Sequence, residues 1–277
     1  MRIVPSVAAG LLAVSGAAVA ADFSDTFIGY RYGSDFTEPG IAVDVPKHIY
    51  SLGHFSTYKF GSNFFNLDLL RSIENDPAAP SRTSTSQAQE LYLAYRHALS
   101  LSKATGSPMK YGPIGDVRIT AGFDAGTKDT SFAPKPLKLL LGPTLSFGLP
   151  SGFVDVSLFY YDETNNNGIV GRKVNFDGTW QLGAVWGIPF TLGTPAIFKG
   201  FLAITGEKGK DGFGVETETE TLLRTSVQWD IGTLAGLNKG TVFAGVGYEY
   251  WKNKFGNPSS VPGSKTSTPT LHAEWHF

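Results

Sequence analysis

The chain has 277 residues, and its 23 Lys and Arg nearly balance its 24 Asp and Glu, which argues against nucleic acid or a strongly anionic surface as the main partner. It contains no cysteine, so neither disulfides nor thiolate metal sites can stabilise it. Glycine (33), Phe (20) and Tyr (11) are abundant, while the mean hydropathy is −0.05. This combination is typical of strands that alternate apolar and polar side chains.

The N-terminus has the pattern of a secretory signal peptide. Arg2 supplies a short positive region, residues 3–19 form a run of apolar and small residues, and Ala18-Val19-Ala20 matches an A-x-A cleavage site. Proline and glycine interrupt the run, which disfavours a retained membrane helix. We therefore expect a cleaved signal peptide at 1–20 and one exported domain at 21–277.

The exported part divides into segments of alternating polarity separated by turn-forming residues, and no helical period persists along it. The first segment spans Asp25–Tyr32, and a polar loop follows it. The second and third, His48–Lys59 and Gly61–Ser72, are so close in sequence that they predict a hairpin. Further segments are predicted at 90–101, 117–124, 137–147, 154–161, 173–190, 198–205, 216–231, 242–251 and 268–277.

Two features of these segments favour a membrane barrel. One face of each segment holds almost no charge, as expected for contact with lipid, and long polar connections tend to alternate with short ones. The sequence therefore predicts an all-β fold, a transmembrane antiparallel up-and-down β-barrel of about twelve strands in the bacterial outer membrane. A soluble two-sheet sandwich also alternates and remains the alternative.

The last segment, Thr268–Phe277, alternates strictly. One face carries Leu271, Ala273, Trp275 and Phe277, and the other carries Thr270, His272, Glu274 and His276. It resembles the closing strand of bacterial outer-membrane barrels, in which the final aromatic residue is an assembly signal. The resemblance implies that Phe277 contacts the outer-membrane assembly machinery.

The exported chain as a whole resembles the Tsx-like family of nucleoside-specific channel-forming outer-membrane proteins, which includes OmpK. The resemblance rests on a first strand that ends in Arg31-Tyr32-Gly33, a close hairpin that contains Phe64-Phe65-Asn66, the number of strands and the aromatic C-terminus. It implies a narrow, monomeric barrel through which nucleosides and deoxynucleosides pass by facilitated diffusion. No individual nucleoside contact can be transferred to this sequence.

The inward faces suggest a substrate-binding lumen. Aromatic side chains are predicted there at Tyr92, Phe159, Tyr161, Phe201, Phe243 and Trp251, with polar neighbours at Arg96, Asp124, Gln181 and Glu249. An aromatic ring stacks on a nucleobase with about 1–3 kcal/mol, and the polar neighbours could bond ribose hydroxyls. The alternative is that the rings only fill a narrow barrel.

Catalysis and metal binding have little support. His272 and His276 flank Glu274 on one face, but side chains two positions apart on a strand do not converge readily on one ion. No phosphate-binding loop or nucleophile motif is present. We therefore predict no enzyme activity, no catalytic residue and no cofactor or metal. A structural or phage or bacteriocin receptor barrel, a general porin and an outer-membrane hydrolase remain alternatives.

Overall fold

The computed structural model describes residues 21–76 and 87–277, so the predicted signal peptide lies outside the described residues. The described chain is almost entirely β-sheet. The strands are β1 (Phe23–Gly33), β2 (Lys47–Tyr58), β3 (Gly61–Ser72), β4 (Gln89–Ser100), β5 (Ile114–Lys128), β6 (Leu137–Gly148), β7 (Phe153–Asn167), β8 (Arg172–Asn175), β9 (Thr179–Leu192), β10 (Thr194–Thr205), β11 (Glu220–Asp230), β12 (Val242–Lys252) and β13 (Thr266–His276). Two short helices, α1 (Leu101–Thr105) and α2 (Ile231–Leu234), and a 3-10 helix at Lys254–Gly256 complete the structure.

The sheet closes into a ring. Each long strand pairs antiparallel with its neighbours, β13 pairs with both β12 and β1, and the pairing of β6 with β7 completes the circle. β8 pairs only with residues 164–167 at the far end of β7 and lies outside the ring. The predicted antiparallel barrel of about twelve strands is thus confirmed, with β8 as an added hairpin. Closure leaves no edge with unpaired backbone groups in the ring of twelve described strands, which a strand in lipid requires.

Two predicted segments have different limits in the structure. The segment predicted at 173–190 is broken at 176–178, where the chain leaves β7: the backbone N–H of Phe176 still donates to Glu163 on β7, but that of Asp177 donates to Lys208 in the segment after β10. The segment predicted at 216–231 starts only at Glu220 and ends at Asp230, whose carboxylate accepts the N–H of Thr233 at 3.0 Å and caps α2. Alternation alone does not reveal either boundary.

The outer wall is an apolar belt. Leu141, Leu158, Val246 and Trp275 are each more than half exposed, and all lie on the face opposite the buried polar side chains. Exposed apolar residues that form a continuous band, instead of scattered single residues, mark a surface covered by another apolar medium. With a closed ring inside this belt, the chain has the structure of a bacterial outer-membrane protein. Among the described residues, no helix is long and apolar enough to cross a membrane.

The connections differ between the two ends of the barrel. At one end lie three tight turns, at residues 59–60, 149–152 and Gly193, whose φ of 73° suits glycine, together with the α1 and α2 segments at 101–113 and 231–241. At the other end lie the segments 34–46, 129–136, 168–178, 206–219 and 253–265 and the described residues 73–76 and 87–88. Outer-membrane barrels have short periplasmic turns and long extracellular loops, so we assign the two ends accordingly.

Candidate functional site

Four charged side chains meet inside the barrel at mid-height. Arg224 of β11 approaches Asp68 of β3, on the opposite wall, at 3.8 Å, and its Nε donates to Glu249 at 2.8 Å. Arg31 donates to Glu249 at 3.2 Å and lies 3.7 Å from Asp68. Arg31 and Glu249 are almost fully buried. These four residues, the central cluster, therefore bridge the lumen with two positive and two negative groups.

The extracellular end is closed by a loop that folds inward. Residues 34–46, the extracellular strap, bury Phe36 and Val45 and place Glu38 inside the barrel mouth. Glu38 forms an ion pair with Lys47 and lies 3.3 Å from Lys254 and 3.9 Å from Lys128. These lysines come from β2, from the segment after β12 and from β5, so one carboxylate joins three separate parts of the wall.

The electrostatics of Glu38 follow from this geometry. Burial by itself raises the pKa of the Glu38 carboxyl, but the ammonium groups of Lys128, Lys254 and Lys47 outweigh it and hold the pKa well below its usual range. Burial lowers the pKa of Lys254, and the other lysines add to this effect. Glu38 is therefore a carboxylate at neutral pH, and its charge compensates a group of cations that would otherwise repel one another.

The rest of the extracellular half is filled by the protein's own side chains. Glu163 pairs with Lys208 and accepts the hydroxyl of Tyr161 at 2.7 Å, and Trp251 donates its indole N–H to Glu220 at 2.6 Å. Buried charges need such partners, because an unpaired charge in this environment costs several kcal/mol, about 3–5 when one partner is removed. The side chains of Tyr161, Glu163, Lys208 and Glu220 are each less than a tenth exposed, so they fill the lumen on the extracellular side of the central cluster.

The periplasmic half is more open and is lined by aromatic rings. Phe55 and Phe64 are directly opposite each other on β2 and β3 and share the lumen face with the bonded pair of Ser51 and Asp68. They are 36% and 37% exposed, and Phe153 on β7 is 42% exposed. We call the region lined by Phe27, Phe55, Phe64, Phe153, Val185 and Phe243 the periplasmic vestibule.

Two of the vestibule rings have fixed partners. Phe27 stacks on the imidazole of His276 at 5.2 Å, and Phe243 meets the same imidazole edge-on at 5.2 Å. A Cβ atom at Gly53, directly across from Phe27, would lie 2.2 Å from the Phe27 ring, so the glycine creates the space in which that ring lies. The vestibule therefore combines fixed rings with exposed ones.

The sequence-predicted lumen residues lie at several heights instead of in one belt. Tyr92 and Arg96 both bond to Asp124, at 3.1 and 2.6 Å. Phe159 and Tyr161 pack together in a small buried core. The remaining ones are distributed as follows: Phe201 lies under the Arg224 guanidinium at 5.3 Å, Gln181 donates to Thr205 at 2.9 Å, Glu249 is in the central cluster, Trp251 is at the extracellular end and Phe243 is in the vestibule.

Sequence reasoning missed two parts of this site. Phe55 and Phe64 follow the same alternation as Asp68, so the parity of β2 and β3 could have placed them in the lumen. Glu38 and Lys254 lie in connecting segments without alternation, and no sequence signal points to them. That the lumen residues bind a solute stays a prediction.

The C-terminal histidines are used in hydrogen bonds. His276 bonds through Nε2 to Glu274 at 3.1 Å and through Nδ1 to Asp25 at 3.0 Å, while Gln228 donates to Glu274 at 2.9 Å. His272 bonds to Thr270 at 2.8 Å. Within residues 21–76 and 87–277, no group of three or more His, Asp or Glu side chains is arranged to hold a metal ion.

No protein-family model and no curated protein matches this chain, so the resemblance to the Tsx-like family stays a prediction. Solved structures of outer-membrane barrels are similar at low identity. The translocator domain of autotransporter NalP from Neisseria meningitidis has 13% identity and a TM-score of 0.44, with 92% of this chain and 88% of that chain covered. The outer-membrane protein OpdK from Pseudomonas aeruginosa has 8% identity and a TM-score of 0.29, with 93% and 99% covered.

Likeness at these levels carries no functional information. The assignment rests on the chain itself, with its closed ring of strands, its apolar belt and its charged, polar interior. The chain is a β-barrel of the bacterial outer-membrane type with a channel-like polar lumen.

Proposed function

We propose that the protein is an outer-membrane channel for small solutes, that the structure is its closed form, and that nucleosides and deoxynucleosides are its preferred solutes. The observation that carries the proposal is the division of the lumen. A vestibule with exposed rings at Phe55, Phe64 and Phe153 leads to a central cluster that holds both signs of charge.

The two parts suit the two halves of a nucleoside. Rings stack on a flat base with about 1–3 kcal/mol each, which is weak enough for the solute to leave again. The central cluster supplies donors and acceptors for ribose hydroxyls, and Nη2 of Arg31 is buried without a hydrogen-bond partner among the residues that the structure describes. Because two positive and two negative groups oppose each other there, the cluster favours neutral or zwitterionic solutes over ions of one sign.

Passage requires the extracellular end to open. The strap is held by the ion pairs of Glu38, by the burial of Phe36 and Val45, and by Nζ of Lys254, which donates to the carbonyl of Thr37 at 2.6 Å. Movement of residues 34–46 would expose these groups to water, which offsets part of the lost attraction. We propose that this strap is the gate and that one copy of the chain forms the pore.

A second candidate is a barrel that is permanently plugged and serves as a structural or receptor protein. The filled extracellular half, where Tyr161 is 1% exposed and Glu163 3% exposed, favours it. An enzymatic role has less support, since the bonded lumen hydroxyls of Thr120, Thr144 and Ser157 have no imidazole partner among the described contacts. Conductance separates the channel from the plugged barrel, because only the channel passes ions.

The test is ion conductance of the purified protein in planar bilayers with added adenosine. A nucleoside that stacks in the vestibule should block the current in a saturable way, and a free sugar of similar mass should block much less. Phe55→Ala or Phe64→Ala should weaken the block about tenfold, which corresponds to one lost stack of about 1.4 kcal/mol. Phe65→Ala is the matched control, because Phe65 is next in the chain but faces lipid.

Three outcomes would count against the proposal in different ways. If the purified protein never conducts ions, it is the permanently plugged barrel and not a channel. Equal block by adenosine and the sugar would indicate a general porin without nucleoside selectivity. Equal effects of Phe64→Ala and Phe65→Ala would show that the vestibule rings do not contact the solute.

A further inference from the structure

The lipid-facing wall carries a polar cluster near its periplasmic end, on β2, β3 and β4. Asn63 accepts the hydroxyl of Tyr95 at 3.0 Å and bonds to Nδ1 of His97 at 2.8 Å, and Nε2 of His97 bonds to the hydroxyl of Tyr58 at 3.1 Å. These side chains point outward, because their chain neighbours Phe64 and Arg96 face the lumen. We call these four residues the outer polar cluster.

The cluster satisfies its own acceptors but leaves donors available. Both contacts of Asn63 are made by its Oδ1 atom, so its amide N–H groups have no partner among the residues that the structure describes. An amide that faces lipid without a partner costs free energy. A phosphate or ester oxygen of a lipid headgroup would accept these N–H groups at the depth where the cluster lies.

Two ammonium groups flank the cluster on the adjoining turns. The backbone N–H of Ser100 donates to the carbonyl of Phe60 at 2.8 Å, which holds the start of α1 against the turn between β2 and β3. Lys59 in that turn and Lys103 in α1 are both exposed. Lys59 Nζ lies 4.9 Å from the centre of the Phe60 ring, so its stem lies along an apolar surface while its charge stays at the rim.

The connections at this end of the barrel carry charge of one sign, and Asp22, whose backbone N–H donates to Thr57 at 2.8 Å, is an acidic residue on the same rim. In the segments 59–60, 101–113, 149–152, Gly193 and 231–241, all of which the structure describes, every charged residue is a lysine: Lys59, Lys103, Lys110 and Lys239. The extracellular connections, in contrast, carry both signs, with acidic residues such as Asp35 and Glu216 beside basic residues such as Arg172 and Lys210. A basic rim beside a membrane surface attracts anionic headgroups.

We propose that the outer polar cluster with Lys59 and Lys103 is a binding site for the headgroup of an anionic phospholipid in the periplasmic leaflet. The two ammonium groups bind the negative charge, and the Asn63 amide donates to a phosphate or ester oxygen. The acyl chains lie along the outward-facing apolar residues of the same strands, Phe65, Leu67 and Leu93. This site is on the outside of the barrel and is independent of the proposed channel function.

The experiment measures lipid binding to the intact, folded barrel in mild detergent by native mass spectrometry. Phosphatidylglycerol and phosphatidylcholine of equal chain length are the probes. The wild-type protein should retain phosphatidylglycerol preferentially, and each of Lys59→Gln and Lys103→Gln should reduce that preference about fivefold, since one basic residue near an anionic surface contributes about 1 kcal/mol. Asn63→Leu keeps the charges and should weaken retention of both lipids.

Lys239→Gln is the matched control, because it removes the same charge from the same rim on the far side of the barrel. A loss of preference as large in Lys239→Gln as in Lys59→Gln would show only diffuse attraction and would overturn the site. So would a wild-type protein without lipid preference. If the cluster instead holds a second copy of this chain, the wild type would be dimeric, Asn63→Leu would be monomeric, and lipid retention would not change.

Discussion

At the scale of single residues, buried charge dominates the interior of this barrel. Glu38, Lys47, Lys254 and Glu249 are each less than a tenth exposed, and each has an oppositely charged partner. Taking an ion out of water costs several kcal/mol unless a partner compensates it. A lumen closed by ion pairs differs from one closed by apolar packing, because water and salt can replace its contacts when it opens.

Replacement of Glu38 tests the strap at this scale. Glu38→Gln leaves Lys47, Lys128 and Lys254 close together without the central negative charge, so closure of the strap should weaken by about 3 kcal/mol, roughly a hundredfold in the ratio of closed to open barrels. Bilayer conductance at neutral pH should rise. Asp44→Asn is the matched control, because Asp44 lies in the same strap but is exposed.

The same carboxylate sets the direction of the pH dependence. The pKa of Glu38 is lower in the closed strap than in the open chain, so the stability that it contributes is fully present above its ordinary pKa and is lost as pH falls through the lowered pKa. Acid should therefore open the wild-type strap only well below the usual carboxyl range, and Glu38→Gln should lack this response. Equal conductance and equal acid response in Glu38→Gln and Asp44→Asn would contradict the role of Glu38.

At the scale of elements, β13 joins the two ends of the chain. It pairs with β12 along one edge and with β1 along the other, and the backbone N–H of Phe277 donates to the carbonyl of Thr26 at 2.9 Å. The side chain of Phe277 is 72% exposed on the lipid side. It therefore contributes little packing inside the protein, which leaves it available to another protein during assembly.

Phe277→Asp should reduce the amount of barrel assembled in the outer membrane, while export continues. Since a charged residue at the membrane interface costs only about 0–1 kcal/mol, the stability of barrels refolded in detergent should hardly change. The difference between assembly in cells and refolding in detergent isolates recognition of the terminal residue. Phe277→Tyr keeps an aromatic ring and should assemble normally. Wild-type levels of assembled Phe277→Asp protein would refute an assembly role for this residue.

At the scale of the whole molecule, closure is the main source of stability. Twelve strands in a ring satisfy the backbone hydrogen bonds of their neighbours, and β8 is the only described strand outside the ring. Such a ring has no edge at which unpairing can begin, and the apolar belt is covered by detergent or lipid. The folded protein should therefore resist SDS at room temperature.

Gel mobility measures this property directly. Unboiled protein, folded in detergent, should migrate differently from boiled protein, since the barrel stays compact until heat opens it. Glu38→Gln provides an internal comparison. It alters a loop and leaves the ring of strands intact, so its unboiled and boiled forms should differ in gel mobility as the wild-type forms do. Co-migration of boiled and unboiled wild-type protein would be incompatible with a closed barrel.

The sequence by itself determined the local properties of this protein. Alternation between two faces depends only on neighbouring residues, so it located β3 at Gly61–Ser72 and separated the lumen residue Glu249 from the lipid-facing Val246. The same rule indicated that Tyr92, Arg96 and Asp124 share the interior, where they are bonded. The signal peptide, the family resemblance and the solute remain predictions of the sequence.

Only the tertiary structure decided what the interior does with those residues. The approach of Arg224 to Asp68, and of Glu38 to three lysines, depends on how the ring closes and on loops that fold inward, and neither has a local signature in the chain. At the break at 176–178, likewise, the backbone N–H of Asp177 donates to Lys208, which is distant in sequence. Alternation says which face a side chain takes, but charges separated by many strands meet only because closure of the sheet brings opposite walls together.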